Sequence, residues 1–450
     1  MPDRAARTAQ LAALALGAAL LVAPWFGHFD DTDAQLYQVV ARKMAERGGW
    51  LDPAYLDHLY PHFREHLPFG FWPFAAADLL GGQPLARAVA AAFSLATLAL
   101  VAFLARRMLG AWPAIAATLV LALTETFFRY GGATRLDPLL VLLANVAAAP
   151  ILLGPAGAAS WLLAGLAAAG AVLVKGPFGI LPLVAACCAR AVFDRSPKTL
   201  LAGALTATLA LAPAVAFVAL APGWWETYGR NQLLASAVGA RTDGATQPWF
   251  PLVALAGRFW PGLPLLVAGV VVAVRTRSRE ARMLCLFAAV QIALLCIPSR
   301  KVWNHLLIAW PALALVSGCA VLPLTAWLSR HARAAAATCA ALALAALLCA
   351  PAIGRLVDGA PCVGAREFAG LLDELHPGDP ILVVSSPTSW RMLASLAAER
   401  RLEPDPRDAL APAVSSAPRL ALATDPVAPA AGWREIGRAR GWVLLRNQAR

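Results

Sequence analysis

Residues 11–33 read LAALALGAALLVAPWFGHFDDTD, an apolar run that stops at a Pro-Trp-Phe boundary and opens into three carboxylates, Asp30, Asp31 and Asp33. Arg4 and Arg7 precede it, which gives the layout of a secretory signal. No small-x-small cleavage site stands before Pro24-Trp25, so the run reads as an uncleaved first span, from about residue 9 to 26. At 1.5 Å per residue, about 18 apolar residues or more cross a hydrocarbon core of roughly 30 Å. Further candidate spans lie near residues 84–105, 111–128, 137–153, 158–174, 178–193, 199–220, 251–274, 282–298, 303–327 and 334–353, about eleven in all.

Composition agrees. The 450 residues are 60% hydrophobic and 14% charged, with mean hydropathy +0.63, whereas a soluble domain is about half apolar and a quarter charged. Backbone groups in lipid must be paired internally, which means helices here. The net charge of +12 comes from cations scattered between apolar runs, so anionic headgroups are the expected partner rather than nucleic acid. The eight cysteines form neither a disulfide framework nor a CxxC zinc pattern.

Short loops holding Arg106-Arg107, Arg190 with Arg195 and Lys198, Arg275 to Arg282, and Arg330 with Arg333 define the cytoplasmic side, with the N-terminus inside. Residues 27–83, 129–136, 222–250 and the C-terminal tail then fall outside. Within the first of these, LPFGFWPFAAADLL (67–80) is too short and aromatic to span and reads as interfacial or re-entrant. From about Arg355 the composition becomes that of a small soluble α/β domain: strands at Ile381–Ser385, Leu420–Ala423 and Trp442–Leu445, a helix over Thr388–Arg401, and a loop over 404–418. The expected architecture is an all-α polytopic membrane domain, 1–354, followed by an extracytoplasmic α/β domain, 355–450.

The outer segments gather the ionisable residues. Asp33 precedes an amphipathic helix with Tyr37, Val40, Ala41 and Met44 on one face, where an N-capping role is the plain alternative to chemistry. Arg135 and Asp137 open the fourth span, Lys175 precedes a helix-breaking Gly-Pro, and Arg300, Lys301 and His305 stand at the outer end of the tenth. Each could simply pair or snorkel. Together they place several cations and two acids on one membrane face, against the bias that collects cations inside. Cations at that boundary suit a lipid phosphate, and acids beside them suit a base for an incoming hydroxyl or amine. His58, His62 and His66, with Glu65, recur every four residues and are weak candidates for a divalent metal, with Pro61 interrupting any helix that would align them.

In this order, the motifs resemble the GT-C-type membrane glycosyltransferases that include the aminoarabinose transferases of lipid A and the protein O-mannosyltransferases (glycosyltransferase families 39 and 83). The resemblance covers about residues 10–330. It rests on Asp33, Tyr37, Ala41-Arg42-Lys43-Met44, Gly48-Gly49-Trp50-Leu51-Asp52-Pro53, Glu65-His66-Leu67-Pro68, Arg135-Leu136-Asp137-Pro138, Lys175-Gly176-Pro177 and Ser299-Arg300-Lys301. Ala34 stands where the family usually has Glu, which shifts weight toward Asp30 or Asp31, and His66 stands where many members have Lys, which makes phosphate contact there weaker or pH-dependent.

The resemblance implies transfer of a sugar, with inversion, from a polyprenyl-phosphate donor to a lipid, glycan or protein acceptor at the outer face of a bacterial-type cytoplasmic membrane. Asp33 would activate the acceptor and Asp137 orient a substrate. Arg135, Lys175, Arg300, Lys301 and His66 would stabilise the departing phosphate, with Tyr37, Glu65 and His305 beside them. No cofactor is required, and a divalent metal stays open. A transporter or flippase of a lipid-linked or anionic substrate is the alternative from another class, and an inactive scaffold a third.

Overall fold

The computed structural model describes residues 2–26, 31–57, 60–154, 157–241, 244–260, 262–357, 368–384, 390–407, 418–424, 431–439 and 442–449. The chain divides into two compact units. The first comprises Met1–Gly27, Arg64–Gly70 and Arg87–Val357, and the second His28–Phe63, Phe71–Ala86 and Asp358–Arg450.

In chain order the helices are α1 (Pro2–Val22), α2 (Thr32–Arg47), α3 (Trp72–Met108), α4 (Ala111–Leu123), α5 (Glu125–Gly131), α6 (Asp137–Leu153), α7 (Ala158–Lys175), α8 (Leu181–Asp194) and α9 (Pro197–Leu220). They continue with α10 (Ala235–Val238), α11 (Phe250–Arg258), α12 (Gly262–Thr276), α13 (Arg279–Cys296), α14 (Trp310–Gly318), α15 (Thr325–Arg330), α16 (Ala332–Val357), α17 (Ala369–Leu372) and α18 (Trp390–Arg400). Among the described residues, six helical segments are long and apolar enough to cross a membrane, up to eight if each of two bent pairs is one span. The chain is a multi-pass membrane protein. Some apolar runs that read as continuous are broken: the run at 111–128 bends by 67° between α4 and α5 at Thr124, whose hydroxyl donates to the Val120 carbonyl. Residues 72–80 are helical and join the following helix through non-helical Gly81-Gly82.

In the first unit α1 packs on α4 and α16, α6 on α7 and α8, and α14 on α4 and α12. Water-to-lipid transfer no longer drives such contacts inside a bilayer, so close approach at small residues supplies the attraction. Gly269 of α12 is one such point: a Cβ there would lie 2.0 Å from the Val316 carbonyl oxygen of α14.

The second unit contains α2 and a five-stranded sheet in the order β2-β1-β3-β5-β4, where β1 is Pro380–Val384, β2 Glu403–Arg407, β3 Leu420–Thr424, β4 Trp433–Ala439 and β5 Trp442–Asn447. β1 runs parallel to β2 and β3, and β5 antiparallel to β3 and β4. Apolar side chains cover both faces, with Ile381, Leu420 and Leu444 on one and Val384, Ala421 and Val443 on the other. The expected loop at 404–418 begins instead inside β2. Two prolines argued against a strand, yet β2 is an edge, where Pro404 and Pro406, two residues apart, leave only an unpaired side without N–H groups. Residues 408–417 of that expected loop lie outside the described residues. Strand β4 was not foreseen.

Helix α18 packs on α2, and the buried Arg42 guanidinium donates to the Ala397 carbonyl at 3.1 Å in the last turn of α18, where carbonyls lack helical partners. Replacement of Gly269 by Ala is expected to cost about 1–3 kcal/mol through overpacking against backbone. It should lower the melting temperature of the detergent-solubilised protein, while Gly257→Ala, whose Cβ would meet open space, should not; equal melting of the two variants would refute the close approach.

Candidate active site

Asp137 is the first residue of α6, after Leu136 and before Pro138, a position where free N–H groups favour a carboxylate and proline fits. Lys175 is the last residue of α7, where the helix end favours a cation. The Lys175 ammonium donates to one Asp137 oxygen at 2.7 Å, and Arg135 Nε to the other at 3.0 Å. All three side chains are buried, with 8%, 2% and 4% exposed for Lys175, Arg135 and Asp137. The Arg135 guanidinium also lies 4.8 Å from the Tyr130 ring centre, a cation–π distance.

Beside this triad lies a cavity of about 370 Å³ lined by Glu65, His66, Lys175, Tyr228, Gln232, Arg300 and His305, and on its apolar side by Phe178, Leu181 and Leu294 among others. Three cations (Arg135, Lys175, Arg300) against two acids (Glu65, Asp137) leave the surroundings net positive. His305 stacks on Phe178 with ring centres 4.2 Å apart.

His66 is half-buried. Desolvation, then Lys175, pushes its imidazole down to about 3, with Arg135 and Arg241 adding to the shift and Asp137 opposing it. The expectation of a histidine titrating near neutrality is therefore corrected: in the ligand-free site His66 is neutral at physiological pH.

Sequence-predicted residues Glu65, His66, Arg135, Asp137, Lys175, Arg300 and His305 thus belong to one unit and one constellation. Lys301 departs from expectation. Its ammonium donates to the Pro298 carbonyl at 2.5 Å and the Thr246 carbonyl at 3.4 Å, and its backbone forms a bridge with Ala245, so it ties two loops together and does not line the cavity.

Asp33 and Tyr37 stand on α2 in the second unit. Asp31 is the N-cap and Asp33 lies in the first turn, while Asp30 lies outside the described residues. Tyr37 is buried with Val40, Ala41 and Met44, as the amphipathic pattern required, and packs edge-on against Phe71 at 5.6 Å. Lys43 and Arg47 of α2 both bind Asp57, holding its carboxyl down to about 2, with the Arg47 hydrogen bond the main cause that lowers it. The Gly-x-Trp turn caps this helix with Gly48 and seats Trp50, whose carbonyl accepts from Trp72 Nε1 at 2.8 Å.

The histidine metal site does not form as a helix face. Residues 60–67 are not helical, His62 pairs with Asp52 at 2.7 Å, and His58 lies outside the described residues. Among the described residues no group of three or more His, Cys, Asp or Glu could hold a metal ion.

Sequence reasoning missed Tyr228, Gln232 and Arg241. Tyr228 and Gln232 lie on a π-helix, Trp225–Leu234, a rare form often found at functional sites, and Arg241 donates to the Gln232 side-chain oxygen. The signal available was a polar, aromatic stretch, WWETYGRNQ, in an outer loop.

No protein-family model matches the sequence, and no curated protein matches it. Solved structures do. ArnT from Cupriavidus metallidurans bound to undecaprenyl phosphate superposes with TM-score 0.72 at 16% identity, over 95% of each chain. The fold is that of ArnT. The apo state of the same protein gives TM-score 0.72 at 17% identity over 96% of each chain. The archaeal oligosaccharyltransferase AglB from Archaeoglobus fulgidus, in complex with an inhibitory peptide and a dolichol-phosphate, gives 0.54 at 15% identity, over 88% of this chain and 64% of AglB. The GT-C-type fold expected from the motifs is thus the ArnT fold.

Two outcomes test the site. Asp137→Ala strands two buried cations and should cost about 3–5 kcal/mol, seen as loss of monodisperse protein in detergent; adding Lys175→Met should recover part of it, and an undisturbed single variant would refute the triad. The depressed His66 value also has a sign. The unfolded chain takes up this proton below its ordinary value near 6.5 and the folded one only near 3, so stability is full above 6.5 and falls as pH drops toward 3. His66→Gln should flatten that acid-side loss in melting temperature without changing melting between pH 7 and 8.

Proposed function

We propose that this chain is an inverting glycosyltransferase that moves a hexosyl or pentosyl group from a polyprenyl-phosphate donor to a lipid, glycan or protein acceptor. The observation that carries the reading is the buried Arg135–Asp137–Lys175 triad edging a net-positive cavity with an apolar side, in a fold whose solved example holds undecaprenyl phosphate. The cavity falls within the roughly 300–1,000 Å³ of small-molecule sites, and its mixed lining suits an amphiphile with an anionic head.

In the proposed reaction Asp33 accepts the acceptor's proton while the acceptor oxygen or nitrogen bonds to the sugar's anomeric carbon. The bond from that carbon to the phosphate oxygen breaks on the opposite face, and the polyprenyl phosphate leaves with the electron pair. Fixed cations stabilise the charge that develops there without reorganising, so neither a strong general acid nor a metal is required. Lys175, Arg135 and Arg300 supply that field, and Asp137 holds the first two in place. His66 and His305 bound the same space, with Glu65 facing the sugar or acceptor and Tyr37 supporting the helix that bears Asp33.

The same reading takes each of the eleven apolar runs as one crossing of a cytoplasmic membrane. The N-terminus is then cytoplasmic, and the site and C-terminal domain extracytoplasmic. The ionisable cluster at the first residue of α6 and the last of α7 supports an interfacial enzyme over a transporter, which needs such groups near the midplane.

Loss of a general base typically costs about 10²–10⁴-fold. Asp33→Asn is expected to lower sugar transfer by at least about 10²-fold in membranes supplied with polyprenyl-phosphate sugar, with Asp30→Asn and Asp31→Asn assayed in parallel. Wild-type turnover in the Asp33 variant would remove Asp33 from the mechanism.

A further inference from the structure

Tyr228 is 3% exposed and is one of the residues that line the cavity, and its buried hydroxyl has no hydrogen-bond partner among the described residues. A buried hydroxyl without a partner forfeits the hydration it had in the unfolded chain. The ring itself is well placed: it packs beside Leu67, Val172 and Trp224, edge-on to Trp224 at 6.4 Å. Packing therefore fixes the ring, and nothing in the described fold uses the oxygen.

The oxygen's position is defined from the other side by Gly176. A Cβ on that residue would stand 2.4 Å from the Tyr228 hydroxyl oxygen, closer than any two such atoms approach, and its φ of +77° is one that L side chains rarely adopt. Gly176 follows Lys175, which lines the same cavity. The Lys-Gly-Pro motif thus has a steric reason: lysine supplies charge, and glycine leaves room for a phenol beside it. Burial pushes the phenol above its ordinary value, so it stays a neutral O–H donor across the physiological range.

We propose that Tyr228 is a ligand-binding residue whose hydroxyl donates a hydrogen bond to a phosphate oxygen of the lipid-linked donor, alongside Lys175 and Arg300. This rests on the lipid-phosphate reading given above. An anionic oxygen is the acceptor that best repays a desolvated donor, because charge-assisted hydrogen bonds are shorter and stronger than neutral ones. The bond is made to the donor and kept to the departing polyprenyl phosphate, so it contributes to affinity for both.

Tyr228→Phe tests this in the full-length protein reconstituted in nanodiscs, with undecaprenyl phosphate as the probe and undecaprenol, which lacks the phosphate, as the comparison. The variant keeps the ring and its packing. It is expected to bind undecaprenyl phosphate about ten- to hundredfold more weakly, to bind undecaprenol unchanged, and to melt without ligand at or above the wild-type temperature, because an unpartnered hydroxyl has been removed. Unchanged affinity for undecaprenyl phosphate would overturn the proposal, whether or not melting falls. Equal weakening for undecaprenol would overturn the assignment to phosphate. If the wild type itself fails to bind undecaprenyl phosphate, the lipid-phosphate reading falls, and this inference with it.

Discussion

A carboxylate shared by two buried cations is what the rest of the site depends on. Asp137 closes the gap between the turn before α6 and the end of α7, and each of its oxygens takes one donor, Lys175 or Arg135. Bringing three ionised groups into an apolar bundle costs several kcal/mol each in desolvation, and mutual attraction repays that only with good geometry and full hydrogen bonding. The helix termini contribute on both sides, with the N-terminal end of α6 facing the acid and the C-terminal end of α7 facing the lysine. The triad is consequently a positional device more than a source of stability. It fixes two cations where neither could stand alone, and it leaves one unit of positive charge uncancelled at the cavity edge.

Apart from Glu65, the cavity residues beside those cations carry no charge that opposes them. His66 is held neutral, Tyr228 stays protonated, and much of the remaining lining is apolar. Water-poor walls strengthen each remaining electrostatic interaction. The arrangement therefore favours a ligand that brings its own charge and its own apolar tail, and it disfavours a small hydrophilic anion that would have to abandon hydration for a half-apolar space.

How much of this the sequence disclosed follows from how local each feature is. Apolar run length and the arginine spacing are properties of the chain alone, so the helical membrane architecture was legible before any coordinates. The burial of Tyr37, Val40, Ala41 and Met44 followed from a helical period. Arg135, Asp137 and Lys175 were visible as charges at run ends, but their convergence on one carboxylate was not, since Lys175 is 38 residues from Asp137. Arg300 and Lys301 are adjacent and chemically alike, and only the bridge to Ala245 decides which faces the cavity and which holds the loop. The titration of His66 depends first on its burial and then on Lys175, Arg135 and Arg241, all distant in sequence. β2 was misread because proline is penalised without regard to whether a strand lies at an edge.

Arg42 shows how the second unit is held together by packing. It lies two turns beyond Asp33 on α2, and its guanidinium is spent on a carbonyl in the last turn of α18, with Glu46 at 3.9 Å. Arg47 and Lys43, next along the same helix, are spent on Asp57. Each cation of α2 therefore has a part in holding the helix in place. Helix α18, from the same C-terminal segment as the sheet, thus fixes the backbone of α2, the helix on which Asp33 stands.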